Sequence, residues 1–588
     1  MDLTSPERGP IDLEDRFPGK NKAAARAERE KIGFVRQPMT RWLDPALLAG
    51  AAVEVAVSSA FGRLADKRES LVNPAEPIDY SDREELWLDF LSDTGDGFHS
   101  TYTMAWLLAQ KELTVESAPV LPRGELLSLG GDQVYPSASV EAYEDHFLGP
   151  FSAALWSEDE ETAPHLWAVP GNHDWYDGLT SFLRVFCRKG WVGGWRTHQS
   201  RSYFALTLPH GWWLWAIDIQ FDTYLDSGQL DYFAEAGKRL GAGDKVLLVT
   251  AKPSWGRAED DVTEPASWRY LSYFEEKYVH ASGATLAATL TGDLHHYSRY
   301  EPVEGDAPDR ITAGGGGAYL SPTHTLPDRL KLRSLAAERS VSYECRATYP
   351  SRDRSKKLRW GALLLGLRNP GFARMMGVVY TLLAATSLAA LNSGRGSLVA
   401  TAERGNFFDF LGTALGGATI VVVFVLALGL VLYADAGWFP MKVLVGSAHA
   451  AVHLFVLEFA LWLLLSLFEA DSPGWLAWLV ALPVAFAVGF ALAPLVFAKF
   501  LLGISVVRGK GALNHANEVF ASQALTGYKN FLRLHIAPGG ELTIYPLGVE
   551  RACEKWDVHP REGAHARPHF TPRGETPRAE LIEAPRTY

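Results

Sequence analysis

Residues 165–174 read HLWAVPGNHD, an apolar run that ends in three polar side chains, Asn172, His173 and Asp174. The apolar half predicts a buried β-strand, and the polar half lies where that strand ends. Six more apolar runs of this kind are predicted as strands, at residues 86–93, 125–132, 202–208, 212–218, 245–251 and 284–293. Longer helical stretches alternate with these runs, which predicts an α/β fold whose sheet is buried on both faces. Functional groups in such folds usually lie at the carboxyl ends of the strands.

Four of these strand ends carry side chains of the types that bind metal ions. In chain order the motifs are SDTGD (92–96), GDQVY (131–135), GNHD (171–174) and GDLHHY (292–297). The tetrapeptide GNHD alone is expected by chance in roughly one protein per several hundred of this length. Because it stands in order between the other motifs, the set indicates one shared site.

The ordered motifs resemble those of the calcineurin-like metallophosphoesterase family over residues 86–323. This resemblance implies a metallophosphoesterase-type layered sandwich of sheets and helices that holds two divalent metal ions. Asp132 would bridge the two ions, Asp93 and His295 would bind the first, and Asn172 would bind the second. Two ions about 3.5–4 Å apart hold phosphate oxygens and lower the pKa of a bridging water, which then attacks phosphorus.

The residues that follow Asn172 are expected to assist the same reaction. By the family pattern, His173 would protonate the leaving oxygen or stabilise the transition state. Asp174 would hold the other nitrogen of the His173 ring. The implied reaction is the metal-dependent hydrolysis of a phosphate monoester or diester.

Two positions resemble the purple acid phosphatases within this family. Gly95 stands where other members have a histidine, and Tyr135 is the fifth residue of the GDxxY motif. In purple acid phosphatases that tyrosine binds ferric iron, so Tyr135 is either a metal ligand or a residue packed beside Pro136. Asp96 is either a further ligand or a carboxylate that stabilises a turn.

Two other positions depart from the family pattern, and both concern the second ion. Ala251, Lys252 and Pro253 stand where a lone histidine is expected, and Asp293 replaces the first histidine of the GHxH motif. If Asp293 is a metal ligand, the oxygen-rich donor set favours Mn²⁺, Mg²⁺ or iron over Zn²⁺. Alternatively, Lys252 and Asp293 form an ion pair at this position, and the ammonium group helps to bind phosphate.

Two features after the last motif lie close to it in the sequence. Arg299 either contacts a substrate phosphate or lies at the rim of the site. The glycine run at residues 314–317 lacks the GK[ST] signature of a phosphate-binding loop. We expect this run to end the last strand of the sheet and to let the backbone approach the metal-binding loops.

Four apolar runs follow this domain, at residues 372–391, 410–433, 443–468 and 475–496. Each is long enough to cross a bilayer core about 30 Å thick as a helix, which predicts a four-helix transmembrane bundle. Lys and Arg are concentrated before the first run and after the fourth, which places these ends in the cytoplasm. The chain is therefore expected to be an integral protein of the cytoplasmic membrane whose catalytic domain and C-terminus face the cytoplasm.

Two further segments bear on the membrane prediction. His449, His453 and Glu458 interrupt the third run, and ionisable groups at that depth are costly unless they have a function. A haem or proton site and ordinary polar contacts within the bundle are both open. Residues 45–66 predict an apolar helix that either packs on a domain or lies on a membrane surface.

The pattern divides the chain into six parts. They are an N-terminal tail and helix (1–83), a metallophosphoesterase domain (84–330), a basic linker (331–371), a transmembrane region (372–507), a C-terminal segment (508–559) and a disordered tail (560–588). Two alternating strands around Gly539 and Gly540 predict a β-hairpin in the C-terminal segment. We expect this hairpin to pack on the phosphoesterase sheet.

Composition narrows the class of protein. The chain has 588 residues, of which 47% are hydrophobic and 21% charged, with a net charge of −12. These values exclude a disordered polymer and a small disulfide-stapled scaffold, and the mixed charges indicate no surface for nucleic acid. The scattered cysteines, Cys187, Cys345 and Cys553, indicate reduced thiols in a protein that faces the cytosol.

The sequence therefore favours a membrane-anchored, metal-dependent phosphoesterase whose partners are the lipid bilayer and a phosphate ester, such as a lipid-linked phosphate. Its cofactors would be two divalent ions, with Mn²⁺ or iron favoured over Zn²⁺. An alternative is a catalytically silent scaffold or sensor that keeps the fold but has an altered second metal position. A transporter or channel with a regulatory domain is less consistent, because the apolar runs carry few ionisable groups.

Overall fold

The structure, a computed structural model, describes residues 11–19, 21–50, 78–157, 159, 161–219, 225–255, 266–334, 339–393, 406–435, 438–469, 472–505, 515–562 and 566–588. The chain forms two compact units. The first comprises residues 1–40, 51–355 and 525–588, and the second comprises residues 41–50 and 356–524. Most of the helix predicted at residues 45–66 lies outside the described residues.

The first unit is built mainly on β-strands. Its described strands are β1 (Ile78–Asp79), β2 (Leu86–Leu91), β3 (Glu112–Leu113), β4 (Leu121–Pro122), β5 (Leu126–Leu129), β6 (His165–Ala168), β7 (Trp191–Val192), β8 (Trp195–Thr197), β9 (Phe204–Thr207), β10 (Trp212–Ile217), β11 (Lys245–Thr250), β12 (Thr285–Thr291), β13 (Tyr297–Pro302), β14 (Asp309–Ala313), β15 (Arg329–Ser334), β16 (Arg339–Tyr349), β17 (Lys529–Ile536), β18 (Leu542–Val549), β19 (Trp556–His559), β20 (His569–Pro572), β21 (Glu580–Leu581) and β22 (Arg586–Thr587).

Two large sheets contain most of these strands. One has the order β1-β9-β10-β11-β12-β14-β13-β16-β15, and the other has the order β21-β18-β17-β2-β5-β6-β8-β7, with β22 also paired to β18. The strands that precede the motifs run parallel to their neighbours, as in β2-β5-β6 and β11-β12-β14. All seven predicted strands are present, and they end earlier than predicted where the polar motif residues leave the sheet.

The two sheets pack face to face, and helices cover both outer faces. Phe90 of β2 and Val249 of β11 lie in one buried cluster between the sheets. The covering helices are Phe98–Ala109 and Thr180–Phe186 over one sheet, and Ser227–Gly237 and Ala266–Phe274 over the other. Because both faces of each sheet are covered, the central strands are apolar throughout, which is the pattern seen in the sequence. The fold is thus a mixed α/β arrangement of layered sheets and helices.

Shorter helical elements complete the described part of the first unit. The α-helices are Lys22–Ile32, Val140–Ala142, Gly149–Ala154 and Asn172–Trp175, the π-helices are Tyr143–Leu148 and Glu275–Val279, and the 3₁₀-helices are Pro209–Gly211 and His280–Ser282. The α-helix Arg352–Leu358 includes the point where the chain passes into the second unit.

The segment after the second unit returns to the sheets of the first, in agreement with the predicted hairpin. β17 pairs with β18 and also lies antiparallel to β2, inside the second sheet. Arg533 of β17 is fully buried and forms a two-point ion pair with Asp89 of β2, at 2.7 and 3.0 Å. Its guanidinium also donates to the carbonyl of Leu121 at 3.0 Å. The charges of Arg533 and Asp89 therefore compensate each other inside the fold.

The prediction of a disordered tail at residues 560–588 is wrong. β20 pairs with β19, and β21 and β22 add to β18 at the sheet edge. The hydroxyl of Tyr588 also donates to Asp309 at 2.7 Å. The composition of the tail resembles that of a disordered segment, but its strands are stabilised by partners that lie far away in the sequence.

The described part of the second unit is helical. Its remaining elements are Arg359–Leu364 (3₁₀), Leu365–Arg368, Pro370–Ser393, Phe407–Ala414, Ala418–Tyr433, Phe439–Leu465, Gly474–Ile504 and Ala516–Ala521. Three of these helices, Pro370–Ser393, Phe439–Leu465 and Gly474–Ile504, are long and apolar enough to cross a membrane.

The second predicted span differs from the expectation of four straight helices. Helices Phe407–Ala414 and Ala418–Tyr433 are bent by 89° at a short break. Gly417 lies at this break with φ of 55°, a conformation that glycine adopts without steric cost. The described residues thus contain three candidate spans, or four if the bent pair counts as one.

The ionisable side chains of the third predicted span are buried within the second unit. The ring nitrogens of His453 lie 2.8 Å from the Tyr380 hydroxyl and 2.9 Å from a ring nitrogen of His449. The hydroxyl of Ser387 donates to Glu458 at 2.6 Å. The structure therefore shows polar contacts between helices for His453 and Glu458, and a polar contact within one helix for His449.

Removal of the buried arginine should test how the segment after the helices holds the first unit together. R533A leaves Asp89 buried without its partner, so we expect a loss of roughly 3–5 kcal/mol in the free energy of unfolding. The exposed pair Arg573–Asp557, at 2.7 Å, is the matched control, and R573A should cost about 1 kcal/mol or less. Thermal unfolding of the detergent-solubilised chain measures both variants. Equal effects would show that the buried pair does not secure β17 to β2.

Candidate metal centre

The four motifs come together because the strands before them end near one another. Asp93, Asp132 and Asn172 follow the neighbouring parallel strands β2, β5 and β6, whereas Asp293 follows β12 of the other sheet. The backbone N–H of Asp293 donates to both carboxylate oxygens of Asp93, at 3.2 and 3.0 Å. Asp93, Asp132 and Asp293 have φ of 60°, 53° and 64°. Aspartate tolerates this left-handed region better than most residues, because its short side chain bonds locally.

The hydroxyl group of Tyr135 lies at the centre of the cluster. It donates to Oδ1 of Asp93 at 2.9 Å and lies 3.4 Å from Oδ2 of Asp132. The same oxygen lies 3.0 Å from Nε2 of His295. All four side chains are buried. The structure therefore brings Tyr135 together with the three residues predicted to surround the first metal ion.

Two glycines let the loops approach these carboxylates closely. A Cβ atom at Gly171 would lie 2.0 Å from Oδ1 of Asp132, and one at Gly292 would lie 2.3 Å from Oδ2 of Asp93. Both distances are far below van der Waals contact, so no larger residue fits either position without a shift of the loop. The glycines of GNHD and GDLHHY are thus explained by the carboxylates they face.

The cluster buries two carboxyl groups side by side. Neither Asp93 nor Asp132 has a Lys or Arg partner among the described residues. Burial, together with repulsion from Asp93 and Asp174, raises the pKa of Asp132 well above its ordinary value. Burial and the neighbouring carboxylates also raise the pKa of Tyr135 well above its ordinary value. Buried charge of this kind is costly unless a counter-charge is present, and a bound cation would supply one.

The donor atoms fit one hard cation. Two carboxylates and an imidazole nitrogen lie within 3.4 Å of the Tyr135 phenol oxygen, and oxygen-rich sets of this kind are the ones that iron, Mn²⁺ and Mg²⁺ prefer. No group of three or more His, Cys, Asp and Glu side chains forms a ready-made cage in the part of the chain that the structure describes. The Tyr135 hydroxyl holds the central position among these side chains.

His173 lies against this cluster. Its ring centroid is 4.3 Å from that of Tyr135, and its backbone N–H donates to Oδ1 of Asp132 at 2.8 Å. Its Nδ1 lies 2.6 Å from the carbonyl oxygen of Pro136. Burial lowers the pKa of His173 to about 4, so the ring is neutral near pH 7 in the absence of a bound anion. The Pro136 carbonyl orients the His173 ring.

Asp174 has a different role from the one predicted. Its carboxylate accepts from the backbone N–H of Gly171 at 2.8 Å and from the hydroxyl of Tyr143 at 2.5 Å. These bonds hold the turn of the GNHD motif, and the position expected for Asp174 beside the His173 ring belongs to a backbone carbonyl. Tyr143 was not foreseen, because no sequence spacing links it to a motif.

The residues predicted to lie near the second ion are Asn172, Lys252 and Asp293. The side-chain N–H of Asn172 donates to the hydroxyl of Tyr176 at 3.1 Å. Lys252 is half-buried just after β11, and the carbonyl of the preceding Ala251 accepts from the N–H of Gly292 at 3.1 Å. The backbone segments that carry Lys252 and Asp293 therefore run side by side.

Arg299 does not present its guanidinium to a substrate. It lies on β13, buried, and binds both carboxylate oxygens of Glu583 at 2.8 and 2.7 Å, with Asp309 at 3.4 Å. The hydroxyl of Tyr297 also donates to Glu583, at 2.6 Å. Arg299 does not make the predicted phosphate contact, because its guanidinium is paired with Glu583. Glu583 lies in the tail that was predicted to be disordered, so no sequence pattern indicated this partner.

The glycine run approaches the motif loops as predicted, but the strand before it is not the last of its sheet, because β15 and β16 come later in the chain. It follows β14, and the N–H of Gly316 donates to the carbonyl of Ser92 at 2.8 Å, which brings the run against the SDTGD loop. Asp96 is a structural carboxylate, since it accepts from the N–H of Thr40 at 2.9 Å and from that of Tyr319 at 3.1 Å. Two carboxylates of the same loop therefore have separate roles, because Asp93 faces Tyr135.

Lys529 was not foreseen from the sequence. It is 1% exposed, and its ammonium group donates to the carbonyls of Ala318, at the end of the glycine run, and of Leu525. Burial lowers its pKa to about 7, although the nearby Asp96 opposes this shift. Lys529 thus connects β17 to the loop that packs on Asp93.

Comparison with known proteins gives little further information. No family model and no curated protein matches the chain. Among solved structures, it is similar to a purple acid phosphatase, PPD1, from yellow lupin (Lupinus luteus) seeds, with 14% identity and a TM-score of 0.29 over 42% of this chain and 46% of that one. It is also similar to PhoD, with 11% identity and a TM-score of 0.29 over 46% and 70%. The chain spans less than half the length of the lupin enzyme. The function proposed below therefore depends on the geometry of the site and not on these similarities.

The buried lysine should give the first unit a measurable pH dependence. Between about pH 7 and the ordinary lysine pKa of about 10.4, the unfolded chain binds more protons at Lys529 than the folded chain. The free energy of unfolding should therefore rise with pH in this window, by up to about 1.4 kcal/mol per pH unit. K529M should lack that rise. Denaturant unfolding across the window compares the two, and parallel profiles would contradict the burial of a titrating ammonium.

Proposed function

We propose that the chain is a metal-dependent phosphoesterase that hydrolyses a phosphate monoester or diester. The observation that carries this proposal is the convergence of Asp93, Asp132 and His295 on the Tyr135 hydroxyl at strand ends, with no Lys or Arg paired to either carboxylate among the described residues. This donor set suits a hard cation, and phosphate esters are the substrates that such cations activate best. A buried anionic cluster without a cation would only destabilise the fold.

The residues of the site would divide the work as follows. Asp93, Asp132, Tyr135 and His295 would hold the first ion, and Asn172 and Asp293 would face a second. When bound, such ions supply a nucleophilic hydroxide at neutral pH and neutralise charge on the phosphate. Gly171 and Gly292 keep the loops close enough for the carboxylates to share one centre.

His173 would act at the leaving oxygen. Its Nδ1 faces the Pro136 carbonyl, so this nitrogen carries a proton and Nε2 is the nitrogen left for proton transfer. A neutral ring cannot donate from Nε2, but an adjacent phosphate anion favours the imidazolium. Substrate binding would thus supply the protonated form that the buried ring otherwise disfavours.

The membrane part of the proposal rests on the long apolar helices. Three helices of the second unit meet the length and composition of a span, and we propose that they anchor the enzyme in a bilayer together with the bent pair Phe407–Ala414 and Ala418–Tyr433 as a fourth crossing. Cations such as Arg374 and Lys499 cluster at the ends of these helices, which favours a cytoplasmic orientation for both flanking segments. A lipid-linked phosphate is then the substrate class most accessible to the anchored enzyme.

A catalytically silent scaffold is the second candidate function. The observation that favours it is the absence of a histidine after β11, where Ala251 and Lys252 stand instead. Such a protein would keep one structural ion and lack turnover.

A carboxylate exchange at the centre of the site should separate these candidates. D132N keeps the size of the side chain but removes its charge, so we expect loss of the bound ion and a drop in phosphoesterase activity of roughly a hundredfold or more. D96N, in the neighbouring loop, is the control and should lower stability while keeping the metal content. Elemental analysis and hydrolysis of chromogenic monoesters and diesters with Mn²⁺ measure both effects. Bound metal without turnover in the parent chain would favour the scaffold.

Tyrosine ligation can be tested by colour. A ferric ion bound by a phenolate absorbs visible light by charge transfer, so the chain loaded with ferric iron should be coloured if Tyr135 is a ligand. Y135F should lose this absorption band, whereas Y176F, which removes the hydroxyl beside Asn172, should keep it. Retention of the band in Y135F would assign Tyr135 to packing alone.

A further inference from the structure

The segment before the first long helix exposes an apolar face. Residues 359–368 form a 3₁₀-helix, Arg359–Leu364, followed by the short helix Leu365–Arg368. Four large apolar side chains of this segment are exposed, namely Trp360 (56%), Leu363 (36%), Leu364 (47%) and Leu367 (81%). Their spacing of three, four and seven residues places them on one side of a helical segment. Ala362 and Leu365 are buried on the other side. One side of the segment therefore packs against the protein, and the other side is exposed.

The depth of this segment follows from its contact with the last long helix. A Cβ atom at Gly366 would lie 3.0 Å from Pro494, so the two backbones are close. Helix Gly474–Ile504 has 31 residues, which is about 46 Å at 1.5 Å per residue. A bilayer core about 30 Å thick accommodates roughly 20 of them. If the helix enters the core at its beginning, it leaves the core near Pro494, at the level of the segment.

Positive charge flanks the apolar face of the segment along the chain. Lys357 and Arg374 are exposed, and the guanidinium of Arg359 lies 5.4 Å from the ring centroid of Trp360. Lys357 and Arg359 have no acidic partner among the described residues. A stripe of apolar side chains flanked by cations is the composition that binds the boundary between headgroups and acyl chains in an anionic bilayer.

We propose that residues 357–368, termed the pre-span segment, lie flat in the headgroup layer of an anionic membrane. Trp360, Leu363, Leu364 and Leu367 enter the upper acyl region, and Lys357, Arg359 and Arg374 bind lipid phosphate groups. The span Pro370–Ser393 begins two residues later, so the chain already stands at the bilayer surface. This continuity favours lipid over a second protein as the covering partner. The inference rests on the membrane anchoring in the proposed function, but not on its chemistry.

Depth-dependent quenching tests the proposal on the full chain. The three native cysteines are replaced by serine, and single cysteines carrying a fluorophore are introduced as L367C, A487C and D306C. The chain is reconstituted in vesicles of phosphatidylcholine with phosphatidylglycerol. L367C should be quenched by lipids that are spin-labelled near the headgroup and shielded from aqueous iodide. A487C, within the last long helix, should be quenched by deep labels, and D306C, on an exposed loop of the first unit, should respond only to iodide.

Brominated lipids test the charge preference. Quenching of L367C by brominated phosphatidylglycerol should exceed that by brominated phosphatidylcholine, and each cation removed in K357Q and R359Q should lower this ratio roughly fivefold. Equal quenching by both lipids would overturn the role of the cations.

Three further outcomes distinguish a failure of the pre-span proposal from a failure of the membrane anchoring on which it rests. If L367C responds to iodide while A487C lies deep, the pre-span segment does not lie in the membrane although the helices do. If L367C is shielded from iodide but unquenched by any lipid, a protein surface covers it and the proposal is wrong. If A487C also responds to iodide, the membrane anchoring itself fails.

Discussion

The first unit depends on one costly arrangement, the burial of Asp93 and Asp132 around a single tyrosine hydroxyl without a Lys or Arg partner among the described residues. Several local features exist because of this arrangement. The aspartates take left-handed backbone conformations that turn their carboxylates back over the strand ends, and the opposing loops have glycine where a Cβ would strike an oxygen. Strain and buried charge in the same few residues are characteristic of a functional site, since a stable fold alone has no need of either.

The sheets that carry this cluster are completed by a segment from beyond the helical unit. β17 enters the second sheet next to β2, whose end bears Asp93, and the Arg533–Asp89 pair fixes the register of the two strands. Lys529, on the same strand, holds the end of the glycine run against the SDTGD loop. The helical unit is therefore an insertion into one fold, and the motif loops are supported by residues on both sides of the insertion.

The parts of this fold that could be predicted are those encoded by local pattern. Continuous apolar runs located the strands, and the polar residues after them located the cluster, including Tyr135, because both signals span only a few residues. The roles of Asp174 and Arg299 were wrong, because each is determined by a partner distant in sequence, Tyr143 in one case and Glu583 in the other. The ordered tail was missed for the same reason. The bend near Gly417 was missed because hydropathy reports how apolar a run is and not whether it is straight.

Under the proposed function, the presence of Lys252 and Asp293 where the family pattern has histidines would change the net charge of the site. Asp93, Asp132 and Asp293 contribute three negative charges, and Lys252, whose backbone neighbours the Asp293 loop, contributes one positive charge. With Tyr135 as a neutral phenol, one divalent ion would make this set neutral, whereas two would leave it doubly positive. A phosphate monoester dianion would balance the charge of the site that holds two ions. The neutral site with one ion would not attract the dianion, so the substrate and the second ion would bind cooperatively. If the proposed function holds, Asp293 and Lys252, at positions where the family pattern has histidines, would make occupancy of a second metal position depend on the phosphate itself.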